Sequence, residues 1–72
     1  MSKKTINLRP DEEYITLNVL LKIGDIIETG GMAKAYLAGN PVLVNGESEN
    51  RRGRKLYHGD VIQVADDTFV IE

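Results

Sequence analysis

Hydrophobic and polar positions change rhythm several times along the chain, and each rhythm predicts an element. In "KTINL", Ile6 and Leu8 alternate with Thr5 and Asn7. A period of two reads as a short strand at a sheet edge, ended with the help of Pro10. "TLNVLLKIG" switches to helical spacing, with Leu17, Leu20 and Leu21 at i, i+3 and i+4 on one face. Thr16 is the expected N-cap and Gly24 the expected terminator, while Lys22 in the last turn complements the helix dipole. "ETGGMAKAYLAGN" predicts a second helix with Thr29 as its N-cap. Its buried stripe is Ala33, Tyr36 and Leu37, and Gly39 with Asn40 makes its stop. Gly30 and Gly31 weaken helix propensity by up to about 1 kcal/mol each. A glycine pair at a helix start therefore marks a close backbone approach, either by the first helix or by an anion on the free N–H groups.

The second half of the chain reads as strands. In "PVLVNGESE", Val42 and Val44 alternate and run into Asn45–Gly46, the preferred type I′ hairpin pair, so "ESE" should pair back. "RRGRKLYHGD" is expected to be a loop with Gly53 at its middle and a Gly59–Asp60 turn at its end. "VIQV" and "TFVI" predict two more strands, joined through Asp66 and Asp67. The whole is an α+β domain: two short helices packed on one side of a small antiparallel sheet. At 72 residues, it is one domain over 1–72, and a chain of this size buries only about 60% of its unfolded surface.

Composition narrows the chemistry. Hydrophobic residues at 42% and charged ones at 28% fit an ordinary soluble globule. The chain has no cysteine, which excludes disulfides and thiolate metal sites, and its single histidine, His58, makes zinc unexpected. The acids "DEE" at 11–13 lack companion ligands and read as a solvated cap. No metal and no cofactor are expected. No apolar run follows Lys3 and Lys4, and none is long enough to cross a membrane, so the expected location is cytoplasmic.

Charge changes the picture most. The formal net charge is -2, yet Arg51, Arg52, Arg54 and Lys55 hold four of the nine Lys and Arg residues. A phosphate responds to local potential, because screening confines the field to about 8–10 Å. A charge run is commonly just a solvated face. Here arginine supplies a planar fork suited to phosphate, and Gly53 lets the loop bend so that its neighbours converge. Glu47 and Glu49 stand close enough in sequence to pair with these arginines when no ligand is bound. His58 has no carboxylate pair or nucleophile at catalytic spacing beside it, so an enzyme is not expected. Tyr57 is expected to pack on the hairpin, with stacking on a base as the second reading. "GGMAK" lacks the Gly-Lys-Ser/Thr ending of a phosphate-binding P-loop.

With these residues in view, the stretch "ITLNVLLKIGDIIETGGMAKAYLAGNPVLVNGESENRRGRKLYHGDVIQV" resembles an S4-type RNA-binding domain. The likeness covers residues 15–64. It rests on a helix, a second helix opening at a small-residue turn, "VLVNGE" and "GDVIQV". The "GGMAK" and "RRGRKL" variants look most like the small stand-alone bacterial S4 proteins of the YaaA type. The resemblance implies non-enzymatic binding of structured RNA, ribosomal RNA first, through a surface formed by the helices and the hairpin. Lys22, Lys34, Arg51, Arg52, Arg54 and Lys55 are the RNA-binding candidates by position. It also implies work with the ribosome, in assembly or translation, and the chain is expected to be a monomer. Many S4 domains open the second helix with "SR", where this chain has "TGG", which shifts the burden to the 51–55 loop. The alternative is a protein-interaction module whose basic loop binds an acidic partner. A sulfur carrier of the β-grasp type would need a terminal Gly-Gly, and "FVIE" is not expected to serve.

Overall fold

A computed structural model describes residues 2–72. Its elements run β1 (Ser2–Ile6), β2 (Tyr14–Thr16), α1 (Leu17–Ile23), α2 (Met32–Gly39), β3 (Val42–Val44), β4 (Glu47–Glu49), β5 (Lys55–Tyr57), β6 (Val61–Val64) and β7 (Asp67–Ile71). The α+β architecture and the two short helices are as the hydrophobic pattern indicates. The main sheet, ordered β1-β7-β6-β3-β4, is antiparallel except at one edge, where β1 runs parallel to β7 with Ile6 opposite Ile71. The sheet is therefore mixed. A period-two pattern fixes which face a strand buries and says nothing about the direction of its neighbour. A second sheet pairs β2 with β5, antiparallel, with Ile15 opposite Leu56.

Alternation decides the core. Val42, Val44, Ile62, Val64, Phe69 and Ile71 are buried from the main sheet, and Ile15 and Leu56 from the two-stranded one. Leu17, Leu20 and Leu21 of α1 and Ala33 and Leu37 of α2 complete the cluster. Tyr36, placed by its spacing in the buried stripe, is only half-buried and packs at the cluster's margin.

The ends of α1 form as its residues suggest. Thr16 accepts a hydrogen bond from the Val19 N–H at 3.4 Å, and the Gly24 N–H donates to the Leu20 carbonyl. Gly24 itself has φ -79, so it is not needed for a left-handed turn; Asp25 takes that conformation with φ 62. What requires glycine at 24 is Phe69, since a Cβ there would sit 2.7 Å from Cζ of its ring. The start of α2 differs from expectation. Gly31 occupies the N-cap position without a side-chain bond, and Thr29 serves one turn earlier through its carbonyl, which accepts from the Met32 N–H. Gly30 meets the Asn18 side chain of α1, 3.2 Å from where its Cβ would be, so of the two glycines it is Gly30 that opens onto the first helix.

The Asn45–Gly46 turn has φ 52 and φ 85, both left-handed, as a type I′ hairpin requires, with Val44 opposite Glu47. The last hairpin turns at Ala65–Asp66 rather than Asp66–Asp67, with β7 beginning at Asp67, and Ala65 sits at φ 54. "RRGRKLYHGD" is a loop only up to Arg54, because Lys55–Tyr57 is strand β5.

Candidate functional site

The 51–54 segment is held from two sides. Below it, the carbonyls of Arg52 and Arg54 accept hydrogen bonds from the Asn18 and Leu17 N–H groups, both at 2.9 Å. These amides open α1, and helix starts leave such donors without intrahelical partners. The loop backbone thus caps the helix, and the helix fixes the loop. The Arg54 N–H also donates to the Arg51 carbonyl, closing the turn around Gly53.

The second brace is Glu49, the last residue of β4. Strand alternation turns it inward, and only 7% of its surface is exposed. A buried carboxylate needs partners for its charge and lone pairs. Arg51 gives Nε to Oε2 at 3.0 Å and Nη2 to Oε1 at 3.2 Å, while Arg54 gives Nη1 to Oε1 at 2.8 Å. The backbone N–H groups of Asn50 and Arg51 add two more bonds to Oε2. The carboxyl is held at a pKa of about 2, chiefly by the Arg51 guanidinium and, with smaller effect, by the Arg51 N–H and Arg54, against the opposing push of burial. The same pairing raises the pKa of Arg51, whose side chain remains 73% exposed. A guanidinium has five N–H donors. Glu49 takes two from Arg51 and one from Arg54, so most of each fork stays available. The carboxylate orients the pair without exhausting it.

Beside this brace lies a cleft of about 560 Å³ lined by Arg51, Gly53, Arg54, Lys55, Tyr57 and Asp60. Asp60 is already engaged. One carboxylate oxygen accepts from Asn45 Nδ2 at 3.0 Å and the other from the Tyr57 N–H at 2.8 Å, which ties the β3–β4 turn to the end of β5. Counting Arg51, Arg52, Arg54 and Lys55 against Glu49 and Asp60, the region keeps an excess of two positive charges. That excess is half of what the four cations alone would suggest.

Not all the candidates named from the sequence share this place. Arg51, Arg54 and Lys55 line the cleft, and Arg52 is exposed at the adjoining turn with no ion pair among the described residues. Lys22 belongs to a different groove, lined also by Arg9, Glu12, Val19 and Ile23. Lys34 stands exposed on α2. The first N–H groups of α2, from Met32 and Ala33, already donate to the Thr29 and Gly30 carbonyls, so the backbone offers an anion less than the sequence suggested. Of the acids at 11–13, Glu12 binds the Arg9 N–H at 2.9 Å, and no group of three metal-ligating side chains occurs among the described residues.

Sequence reasoning missed β2 and with it Tyr14. That ring lies opposite Tyr57, with centroids 5.7 Å apart and planes at 50°, and Lys55 Nζ stands 5.0 Å from its centroid. The available signal was Ile15 between Tyr14 and Thr16, and Leu56 between Lys55 and Tyr57. Alternation over three residues is too short to separate a strand from a loop.

Among the described residues, no helix is long and apolar enough to cross a membrane. A family model described as S4 domain matches residues 8–72. The "Probable ribosome maturation protein RlbA" of Bacillus subtilis (strain 168) is 57% identical over 54 residues, which cover 75% of this chain and 76% of that protein. No solved structure matches the chain at a significant level.

Proposed function

The chain belongs to the S4 domain family, and from that premise we propose that it is a non-enzymatic module that docks on folded RNA through the cleft beside Glu49. The observation that carries the reading is the braced arginine pair, two guanidiniums fixed by one buried carboxylate on a loop clamped to α1. Preorganised forks suit phosphate oxygens, and their fixed spacing selects a backbone path rather than a base sequence. Arg52 and Lys55 extend the cationic surface on either side of Gly53. The relative's name speaks of ribosome maturation, and ribosomal RNA is accordingly the ligand this reading favours, with ribosome assembly as the process. The protein works as a cytoplasmic monomer. Lys22 and Lys34 are secondary contacts, since each lies on a helix outside the cleft lining.

The brace decides how this should be tested. Removing Arg51 and Arg54 would leave Glu49 buried without a cation, and lost folding would mimic lost binding. Arg52 and Lys55 make no ion pair with Glu49. The informative variant is therefore Arg52→Ala with Lys55→Ala, compared with wild type in salt titrations on a structured ribosomal RNA fragment. Each phosphate contact contributes a slope of about -0.7 to -0.9 in log K against log salt, so the double variant should be shallower by about 1.5. It should weaken RNAs of different sequence alike. Wild-type affinity and slope in this variant would remove Arg52 and Lys55 from the interface, and a wild type that failed to bind the fragment would sink the reading. Capture of an acidic protein from nuclease-treated extract, with no RNA bound, would favour the interaction-module alternative.

A further inference from the structure

The outer face of the β2–β5 ribbon is chemically unlike the rest of the surface. Its inner face buries Ile15 and Leu56 in the core, and alternation then forces Tyr14 and Tyr57 to the outside as a directly opposed pair. They are 38% and 46% exposed. Tyr36, by contrast, leans on the core. Two neighbouring aromatic rings left open to water go unexplained by packing, because burial is the ordinary use of such area.

Their surroundings indicate what covers them. Tyr57 and Lys55 line the same cleft as Arg51 and Arg54, so aromatic surface and phosphate-binding groups are continuous. The backbone that carries Tyr57 is also firmly placed. The Tyr57 N–H is held by Asp60, and the Gly59 N–H behind it donates to the Ile71 carbonyl at 2.7 Å. We propose that Tyr14 and Tyr57, with ring planes inclined at 50° to each other, form a stacking platform on which an unpaired base of the bound RNA lies against one of the two rings, while Lys55 and the braced arginines hold the phosphates flanking that nucleotide. This rests on the RNA-binding reading and makes it more specific. A base within an A-form helix is already stacked and cannot lie on a protein ring, so the ligand must offer a bulge, a loop or an end. The cleft then selects for charge, and the ribbon selects for an unpaired nucleotide.

The experiment compares two RNA probes of equal phosphate count: a stem–loop with an unpaired loop and a fully paired duplex. Wild type should prefer the stem–loop. Tyr14→Leu with Tyr57→Leu should weaken stem–loop binding between about 5-fold and 150-fold, the range for one stacked base, weaken duplex binding less, and leave the salt slope unchanged because no phosphate contact is removed. Tyr14→Phe with Tyr57→Phe should retain the preference, because phenylalanine keeps the π-face. A readout that needs no variant is the ring-proton NMR of wild type. The Tyr14 and Tyr57 resonances should move on addition of the stem–loop, and those of Tyr36 should not. Equal stem–loop affinity in the leucine variant, or unmoved Tyr14 and Tyr57 resonances in an RNA-bound protein, would overturn the platform and leave RNA binding standing. Wild type that bound neither probe would overturn both.

Discussion

Replacing Glu49 with glutamine keeps the side chain's shape and removes its charge, so it isolates the electrostatic part of the brace. In the wild type the carboxyl is depressed from 4.5 to about 2. At about 1.36 kcal/mol per pKa unit, this sets a ceiling of about 3 kcal/mol on the stability linked to the charge. The full amount will not appear, because Arg51 is 73% exposed and water screens its share. The net cost of Glu49→Gln at neutral pH should be about 1–2 kcal/mol. For a domain this small, with a urea m-value of about 1 kcal/mol/M, the unfolding midpoint should fall by about 1–2 M. The pH dependence follows from the direction of the shift. A carboxyl whose folded pKa lies below its unfolded value stabilises above the unfolded pKa, and the effect is lost as pH falls through the folded one. The gap between wild type and Glu49→Gln should therefore be constant above about pH 5 and narrow between about pH 4.5 and 2. Urea titrations of both proteins at pH 7 and pH 3, followed by circular dichroism, measure it. Equal midpoints at pH 7, or a gap undiminished at pH 3, would show that the charge is not what holds the loop.

Two backbone positions give independent checks on the fold. Gly24→Ala should destabilise by about 1–3 kcal/mol, because its Cβ would be driven against the buried Phe69 ring at 2.7 Å, and a thermal melt would show it. Ala65→Gly should instead raise the melting temperature, since alanine at φ 54 carries a left-handed strain of about 1 kcal/mol that glycine does not; an unchanged or lower value would contradict that account.

Where a residue's role depends on its close neighbours in sequence, it was legible. Leu17, Leu20 and Leu21, the Thr16 cap and the Asn45–Gly46 turn are local arrangements, and the chain carries them openly. Thr29 misled because Ser and Thr cap helices so well that the glycines after it were read as the first turn. β2, β5 and the parallel edge are pairings across more than thirty positions, and no short pattern encodes a distant partner. The candidate site divides the same way. The cluster of cations was visible in composition, whereas the inward turn of Glu49, the capping of α1 by loop carbonyls and the Tyr14–Tyr57 contact exist only once strands pair. The charge count overstated the site for that reason, since a buried acid appears in a sequence as merely one more acid.

The parallel edge has a consequence for the order in which the chain can assemble. The hairpins β3–β4 and β6–β7 each close a two-residue turn. β1 and β7 instead enclose about 60 residues, and by the logarithmic scaling of loop closure that ring costs about 3 kcal/mol more entropy than a hairpin when nothing else has formed. Once β7 lies on β6 and the helices have packed, the intervening chain is already compact and most of that cost has been met by other contacts. β1 is thus a late arrival by topology, a strand added along a finished edge. The cleft at the opposite end of the sheet order, beside β4, draws its braces from α1, β4 and the 51–54 loop, none of which waits for β1.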